Sequence, residues 1–536
     1  VHVSGSLRRL VVALGLAATV ALSGCGSRSN AQHDPNTLTS LIRTDGATMN
    51  PMFAQGVVDG LEYAQLLYES LTYIGADYLP HPRLATSWTH SPDGLTWTIE
   101  LRHGVRFSDG VPLTSKDVVF SYNAYLDPKT GALAQSDIAY IKRVTAEGPY
   151  RVRFELSHRS AVFTLNALGG DVYILPEHIL GSTPHERLRL TDFGEKPIGS
   201  GPYVLQHWLH DSETIFAHNP YSWRPPHIGR IDFRTIFNDQ SELEAVANGS
   251  ADLIDDLSST QYVQLQKIAP NVVLQTFGSV YLDVATPNLT RPGLSDPVVR
   301  RAMMYGQDRA AVVRGLFAGK VDVPNGLIPP ALAHWYDPTV RTYPYDPGKA
   351  RALLDAAGWR VGPDGIRRRG KTRLSFELLL NQGSAVLTDA ALTIVADERA
   401  VGIDLRLRQL DFPSILTREF AGNFDIVLEG FGGSVDPDLT SNLATTSFSP
   451  AGGNTSHFSD PEMDRLLAAG VTELDDAKRR VIYDRVQQII ADQVPIFYLW
   501  GRFSALAHAK RLELDPRTTL QSPLLYFNVE DWTLAK

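Results

Sequence analysis

Apolar and polar residues alternate over Trp97-Thr98-Ile99-Glu100-Leu101-Arg102, the period-two pattern of a strand with one buried face. Gly104 and Asp109-Gly110 mark turns on either side of Val105-Arg106-Phe107, so this region predicts a β-meander. Thr114 stands three residues before Asp117, with Val118-Val119-Phe120 behind it, which is a capping-box pattern for a helix start. Farther on, Ser295-Asp296-Pro297 opens a second helix, carrying Val298, Ala302, Met303 and Tyr305 at roughly helical spacing. A third runs from Asp346-Pro347 to Gly358, with Ala350, Leu353, Leu354 and Ala357 on one face and Gly358 as its C-cap. Leu374–Leu378 and Ile403–Leu407 alternate as strands around an apolar helix over 387–401. That β-α-β order predicts a sheet layered with helices, hence the α/β class.

The first 25 residues follow a different pattern. Arg8 and Arg9 precede an apolar run from Leu10 to Leu22, and small Gly24 stands before Cys25. This is the layout of a secretory signal, and Leu22-Ser23-Gly24-Cys25 resembles a bacterial lipobox. The resemblance implies that Cys25 becomes the lipidated first residue of the mature chain, carrying acyl chains such as palmitate. A run of about a dozen apolar residues is too short to span a bilayer, which takes about twenty. Residues 26–37, with Gly26, Ser27, Ser29, Asn30 and Gln32, read as a flexible tether. The expected location is the cell envelope, either periplasmic or lipid-anchored to the outer face of the cytoplasmic membrane.

Composition narrows the function classes. Hydrophobic residues make up 43% and charged residues 20% of the 536, as in folded proteins. Cys25 is the sole cysteine, which leaves the body without a disulfide, a thiolate zinc site or a cysteine nucleophile. The net charge is −9 and drops by two more units when Arg8 and Arg9 leave, which argues against nucleic acid as a partner. Enzyme motifs start and fail. Gly199-Ser200-Gly201 lacks the spacing of a nucleophile elbow. His185-Glu186 has no second histidine three residues on, and Asp436-Pro437-Asp438 meets Thr440 and Ser441 where a calcium loop needs a ligand and a glycine. Gly430-Phe431-Gly432 has Val435 in place of the third glycine of a dinucleotide loop. Neither catalysis, nor a metal, nor a cofactor is expected.

Several segments together resemble the family 5 extracytoplasmic solute-binding proteins, the peptide- and nickel-binding lipoproteins of ATP-driven importers. They include Pro92-Asp93-Gly94-Leu95-Thr96-Trp97, Gly104 to Gly110, and Thr114-Ser115-Lys116-Asp117-Val118. Met49-Asn50-Pro51, Tyr68-Glu69-Ser70-Leu71, Pro197 to Tyr203, Asn248 to Asp252, Ser295 to Ala302 and Pro461 to Asp464 follow the family order along the chain. The resemblance implies a two-lobed clamshell, with lobe I at 38–72, 191–278 and 502–536, an inserted subdomain at 73–190, and lobe II at 279–501. Hinge strands would pass near Ser279-Val280-Tyr281 and Leu499-Trp500-Gly501. It also implies a monomer that takes a small solute, an oligopeptide or similar, and hands it to the permease and ATPase subunits of an importer. Nickel complexes, glutathione-like molecules, haem and sugars remain open as solutes, as does an adhesin or chaperone-like role.

In peptide-binding members a lobe II strand leads into a loop whose aspartate pairs with the peptide ammonium. Here that strand would be Phe424–Leu428 and the loop Glu429–Asp438. Ser434 or Gly433 stands where the aspartate is expected, so Asp436 or Glu429 would have to reach the ammonium from a displaced position, or the solute lacks one. Phe431 would stack on the ligand, and Gly432-Gly433 would let backbone approach it. The competing reading makes Phe431 core, Asp436 a helix cap and Glu429 solvated. On the facing lobe, Gln55, Gly56 and Val57 would border the cleft. Trp88, Trp97 and Trp223 are expected to be structural, and Arg300 and Asp308 part of a framework helix.

Overall fold

The computed structural model describes residues 34–54, 58–170, 172–432, 434–519 and 525–535, with residues 58–61 described by backbone alone. Cys25 and residues 26–33 of the expected tether lie outside the described residues. Among the described residues, no helix is long and apolar enough to cross a membrane.

The chain from Pro35 builds two lobes around separate mixed sheets. Thr37–Ile42 is wholly buried at the centre of a seven-stranded sheet, parallel to Arg230–Thr235 on one side and Leu253–Ile254 on the other. Its register is clamped by a buried carboxylate. Asp252 accepts the Thr39 N–H at 2.9 Å and both arms of the Arg511 guanidinium at 2.7 Å. Two glycines bring the 199–201 turn against the end of the helix Val58–Leu67. A Cβ on Gly199 would fall on the Leu67 carbonyl and one on Gly201 on the Leu66 carbonyl, so the Gly-Ser-Gly pattern serves backbone packing.

A four-stranded antiparallel sheet, ordered Ala85–His90, Thr96–Leu101, Arg151–Leu156, Ile141–Ala146, packs onto the same hydrophobic core. Trp97, Ile99 and Leu101 are its buried alternation, as the sequence pattern predicts. The expected meander is corrected. Val105-Arg106-Phe107 forms no strand, and only Arg106 bridges Pro112, because the Phe107 N–H and the Val105 carbonyl close a tight local loop with Val111 and Leu113. The strand partner comes instead from Arg151–Leu156. The helix Ser115–Leu126 has its capping box complete, with the Thr114 N–H donating to Asp117 at 2.8 Å. Arg224 and Arg83 share Glu69 and Glu530 in a buried knot that ties the four-stranded region to the chain's C-terminal segment.

The second lobe is a five-stranded sheet ordered Asp404–Leu410, Ser375–Asn381, Ile426–Gly432, Tyr281–Pro287, Phe497–Gly501. The predicted β-α-β unit is present: Ser375–Asn381 and Asp404–Leu410 are parallel, joined by the helix Ala385–Ala400. Asp296 and Asp346 cap the helices that begin at Pro297 and Pro347. Asp308 caps the helix Arg309–Leu316, and buried Arg300 donates to the Gln493 and Val494 carbonyls.

The chain passes between the seven- and five-stranded sheets at 277–280 and again at 502–504. The two crossings lie side by side, with Phe277 N–H donating to the Ser504 carbonyl at 3.0 Å and Arg502 N–H to that of Tyr281 at 2.9 Å. Beside them, buried Asp283 accepts the Trp500 indole N–H at 2.9 Å and lies 3.5 Å from the Arg502 guanidinium.

Candidate functional site

A cavity of about 330 Å³ lies between the two lobes. One wall carries the hairpin tip Tyr78-Leu79-Pro80, Trp88 and His90 from the first strand of the four-stranded sheet, Trp97 beside them, and Ala161, Thr164 and Leu165. The other carries Trp335, Val435, Glu473, Leu474, Asp476 and Arg479.

Local chemistry explains how each wall is held. Strand pairing sets Trp88 opposite Ile99 and His90 opposite Trp97, whose rings lie 4.8 Å apart. The turn between these strands needs Gly94 twice over: its φ is +70°, and a Cβ there would sit 2.7 Å from the Leu474 side chain of the facing wall. A backbone bond from Ala161 N–H to the Val471 carbonyl, 2.9 Å, also joins the walls. Tyr78 has a positive φ of 61° at its hairpin tip, where its ring packs into the second lobe's core and its hydroxyl reaches the Gly278 carbonyl at the crossing. A bulky residue in the left-handed region is strained, and the packing around it holds it there.

On the second wall, the helix Asp476–Gln493 begins at the cap Asp475 and carries Arg479 in its first turn. Arg479 is buried, donates Nε to the Gly470 carbonyl at 2.8 Å, and forms a two-armed ion pair with Asp436 at 2.7 Å on each arm. Burial works against the guanidinium's charge, but the Asp436 pair outweighs it and raises the Arg479 pKa. Asp476 is held by His334 at 2.9 Å. Glu473 is different. It accepts one backbone N–H, that of Asp475 at 2.8 Å, and among the described residues no cationic side chain pairs with it.

The residues singled out from the sequence are placed as follows. Gln55, Gly56, Val57 and Gly433 lie outside the described residues. The expected strand end is corrected: the strand runs to Gly432, four residues past Leu428, because Phe431 and Gly432 keep pairing with Leu282 and Tyr281. Phe431 is therefore core of the second lobe and is not part of the cavity wall. Gly432 does permit a close approach, but to the Val280 carbonyl, 2.7 Å from where its Cβ would be, with φ at +94°. Ser434 is exposed and accepts the Asp436 N–H. Asp436 does not cap the next helix; its carboxylate is taken by Arg479, 43 positions farther along the chain. Glu429 is half-buried rather than solvated and accepts the Thr286 hydroxyl at 2.5 Å. Burial and the neighbouring Glu419 carboxyl raise its pKa. Trp97 is core and Trp88 half-buried, and both line the cavity, which their places in a strand pattern do not reveal. Trp335 and Glu473 also had no sequence signal, since neither sits in a periodic segment or a recognisable motif.

Comparison with known proteins places this geometry in context. The family model described as bacterial extracellular solute-binding proteins, family 5 (middle region), matches residues 80–454. The oligopeptide-binding protein AppA of Bacillus subtilis (strain 168) is 26% identical over 514 residues, covering 94% of this chain and 90% of that protein. The di/tripeptide-binding protein 2 of Pseudomonas aeruginosa (strain UCBPP-PA14) is 28% identical over 436 residues, covering 77% and 80%. Among solved structures, the ABC transporter substrate-binding protein CtaP of Listeria monocytogenes superposes with a TM-score of 0.80 at 24% identity, covering 93% of this chain and 99% of that one, a likeness of fold.

Proposed function

The chain belongs to the family 5 bacterial extracellular solute-binding proteins, and from that premise we propose that it captures an oligopeptide or similar small solute between its lobes and delivers it to an ATP-driven importer. The observation that carries this reading is the cavity between walls from two lobes that are joined by two adjacent crossings. Such a joint lets 279–501 move as one body against the rest. A solute touching both walls gains contacts in the closed form that the open form lacks, so binding drives closure. The permease and ATPase subunits would then receive the closed, loaded form.

The printed names of the two relatives, one an oligopeptide binder and one a di/tripeptide binder, support a peptide as solute. Nothing in this role needs covalent chemistry. The lipobox-like Cys25 supports a lipid anchor, and loss of radiolabelled palmitate from a Cys25→Ala chain would check it. The solute itself is tested by native mass spectrometry of the gently purified protein. The expected result is a ladder of adducts spaced by amino-acid residue masses; a single non-peptide adduct would overturn the peptide reading.

A further inference from the structure

We propose that the cavity between the lobes is a subsite for a positively charged group, with Glu473 as its counter-ion and Trp88 and Trp335 as its aromatic walls. This rests on the solute-binding reading and names the chemistry of what is bound.

Among the described residues, three ionisable side chains besides His90 and Tyr78 line the cavity, and two of them already have a side-chain partner. Arg479 is held by Asp436, and Asp476 by His334. Among the described residues, Glu473 is left with one backbone N–H, that of Asp475, and no cationic side-chain partner. A carboxylate that lines a cavity without a cation gains by accepting charge-assisted hydrogen bonds from an incoming one. Aromatic faces add to this, because a cation over an indole ring is attracted by the ring quadrupole and more strongly as water is excluded. Trp88 comes from one wall and Trp335 from the other, so the subsite is complete when the lobes are together. Trp335 already has a guanidinium, that of Arg479, 5.0 Å from its ring.

Size sets a second limit. About 330 Å³ is near the low end of the roughly 300–1,000 Å³ found for small-molecule pockets. The cavity suits one end or one side chain of a solute rather than a long peptide. The charged group can come from an amino terminus or from a Lys or Arg side chain.

The test is calorimetric titration of the purified protein and its Glu473→Gln and Trp88→Ala variants with four probes. These are Ala-Ala-Ala, N-acetyl-Ala-Ala-Ala, N-acetyl-Ala-Lys-Ala and tetramethylammonium, with unfolding temperatures recorded to show that each variant is folded. The expected result is that the cationic probes bind at least tenfold more tightly than N-acetyl-Ala-Ala-Ala, and that Glu473→Gln removes this preference. Ala-Ala-Ala binding tightly assigns the amino terminus as the source of charge, and N-acetyl-Ala-Lys-Ala the side chain. Trp88→Ala should weaken every cationic probe. Equal binding of neutral and cationic probes, or cation binding that survives Glu473→Gln unchanged, overturns the subsite while leaving the peptide reading in place. Tetramethylammonium binding that Glu473→Gln abolishes, with no peptide bound, supports the subsite and overturns the peptide reading. No binding of any probe overturns both.

Discussion

Two segments of the second lobe carry acids close to the cavity, and Asp436 in one and Glu473 in the other are held in opposite ways. In 429–438, Asp436 gives both its oxygens to Arg479, and Glu429 is turned to Thr286 and kept away from the cavity. In 471–479, Glu473 lines the cavity with no cationic partner among the described residues. An acidic residue in a loop is thus available to a ligand only if no nearby guanidinium has already taken it, and Arg479 decides the matter for Asp436. A third acid shows the remaining possibility. Glu398 is fully buried, accepts one bond from Gln307 at 2.7 Å and has no cationic partner among the described residues, so burial pushes its carboxyl up to about 8 and favours the protonated form at neutral pH. Paired, open and protonated carboxyls make different demands on stability and binding.

The largest effect is expected where the pair is broken. Asp436→Ala strands a buried guanidinium and should cost about 3–5 kcal/mol in denaturant unfolding; a loss under 1 kcal/mol would mean that Arg479 finds water or another acceptor. Glu398 comes next. Its folded pKa lies above the unfolded value of 4.5, so the native state keeps a proton that the unfolded chain releases. Its contribution is full below about 4.5 and is lost as pH rises through about 8. Glu398→Gln should match the parent at pH 5 and exceed it by up to a few kcal/mol at pH 8; parallel pH profiles for the two proteins would show that the carboxyl is ionised throughout. Gly94→Ala should cost about 1–2 kcal/mol for its left-handed φ. It should also weaken solute binding, because the added methyl meets Leu474 of the facing wall. The smallest stability change belongs to Glu473→Gln, within about 0.5 kcal/mol by urea denaturation, since glutamine can still accept the Asp475 N–H. A larger loss would make Glu473 a structural residue like Asp436.

The same contrast separates what sequence could reveal from what it could not. Helix starts at Thr114, Asp296 and Asp346 were legible because a cap and its helix lie within three residues of each other. The β-α-β unit at 375–410 was legible because two alternating segments flank an apolar helix. The end of the strand at Gly432 was not, since Gly430 and Gly432 look like loop residues. Gly430 is glycine because the Arg502 guanidinium occupies the space of a side chain, and Gly432 because the Val280 carbonyl does. The pairing of Asp436 with Arg479, and the placing of Trp88 and Glu473 around one cavity, depend on how distant segments pack. No local pattern encodes either. Segment 105–107 failed for the converse reason: it has a strand's composition, but its polar backbone groups are satisfied within a tight loop.

The central claim is that a solute holds the two walls together. It is tested most directly by distances between spin labels at Ser87→Cys and Lys478→Cys, both exposed positions, in a chain that also carries Cys25→Ser. The account predicts a broad or longer distribution without solute that collapses to one short distance at saturation. A distribution unchanged by saturating solute would contradict closure as the way this protein binds.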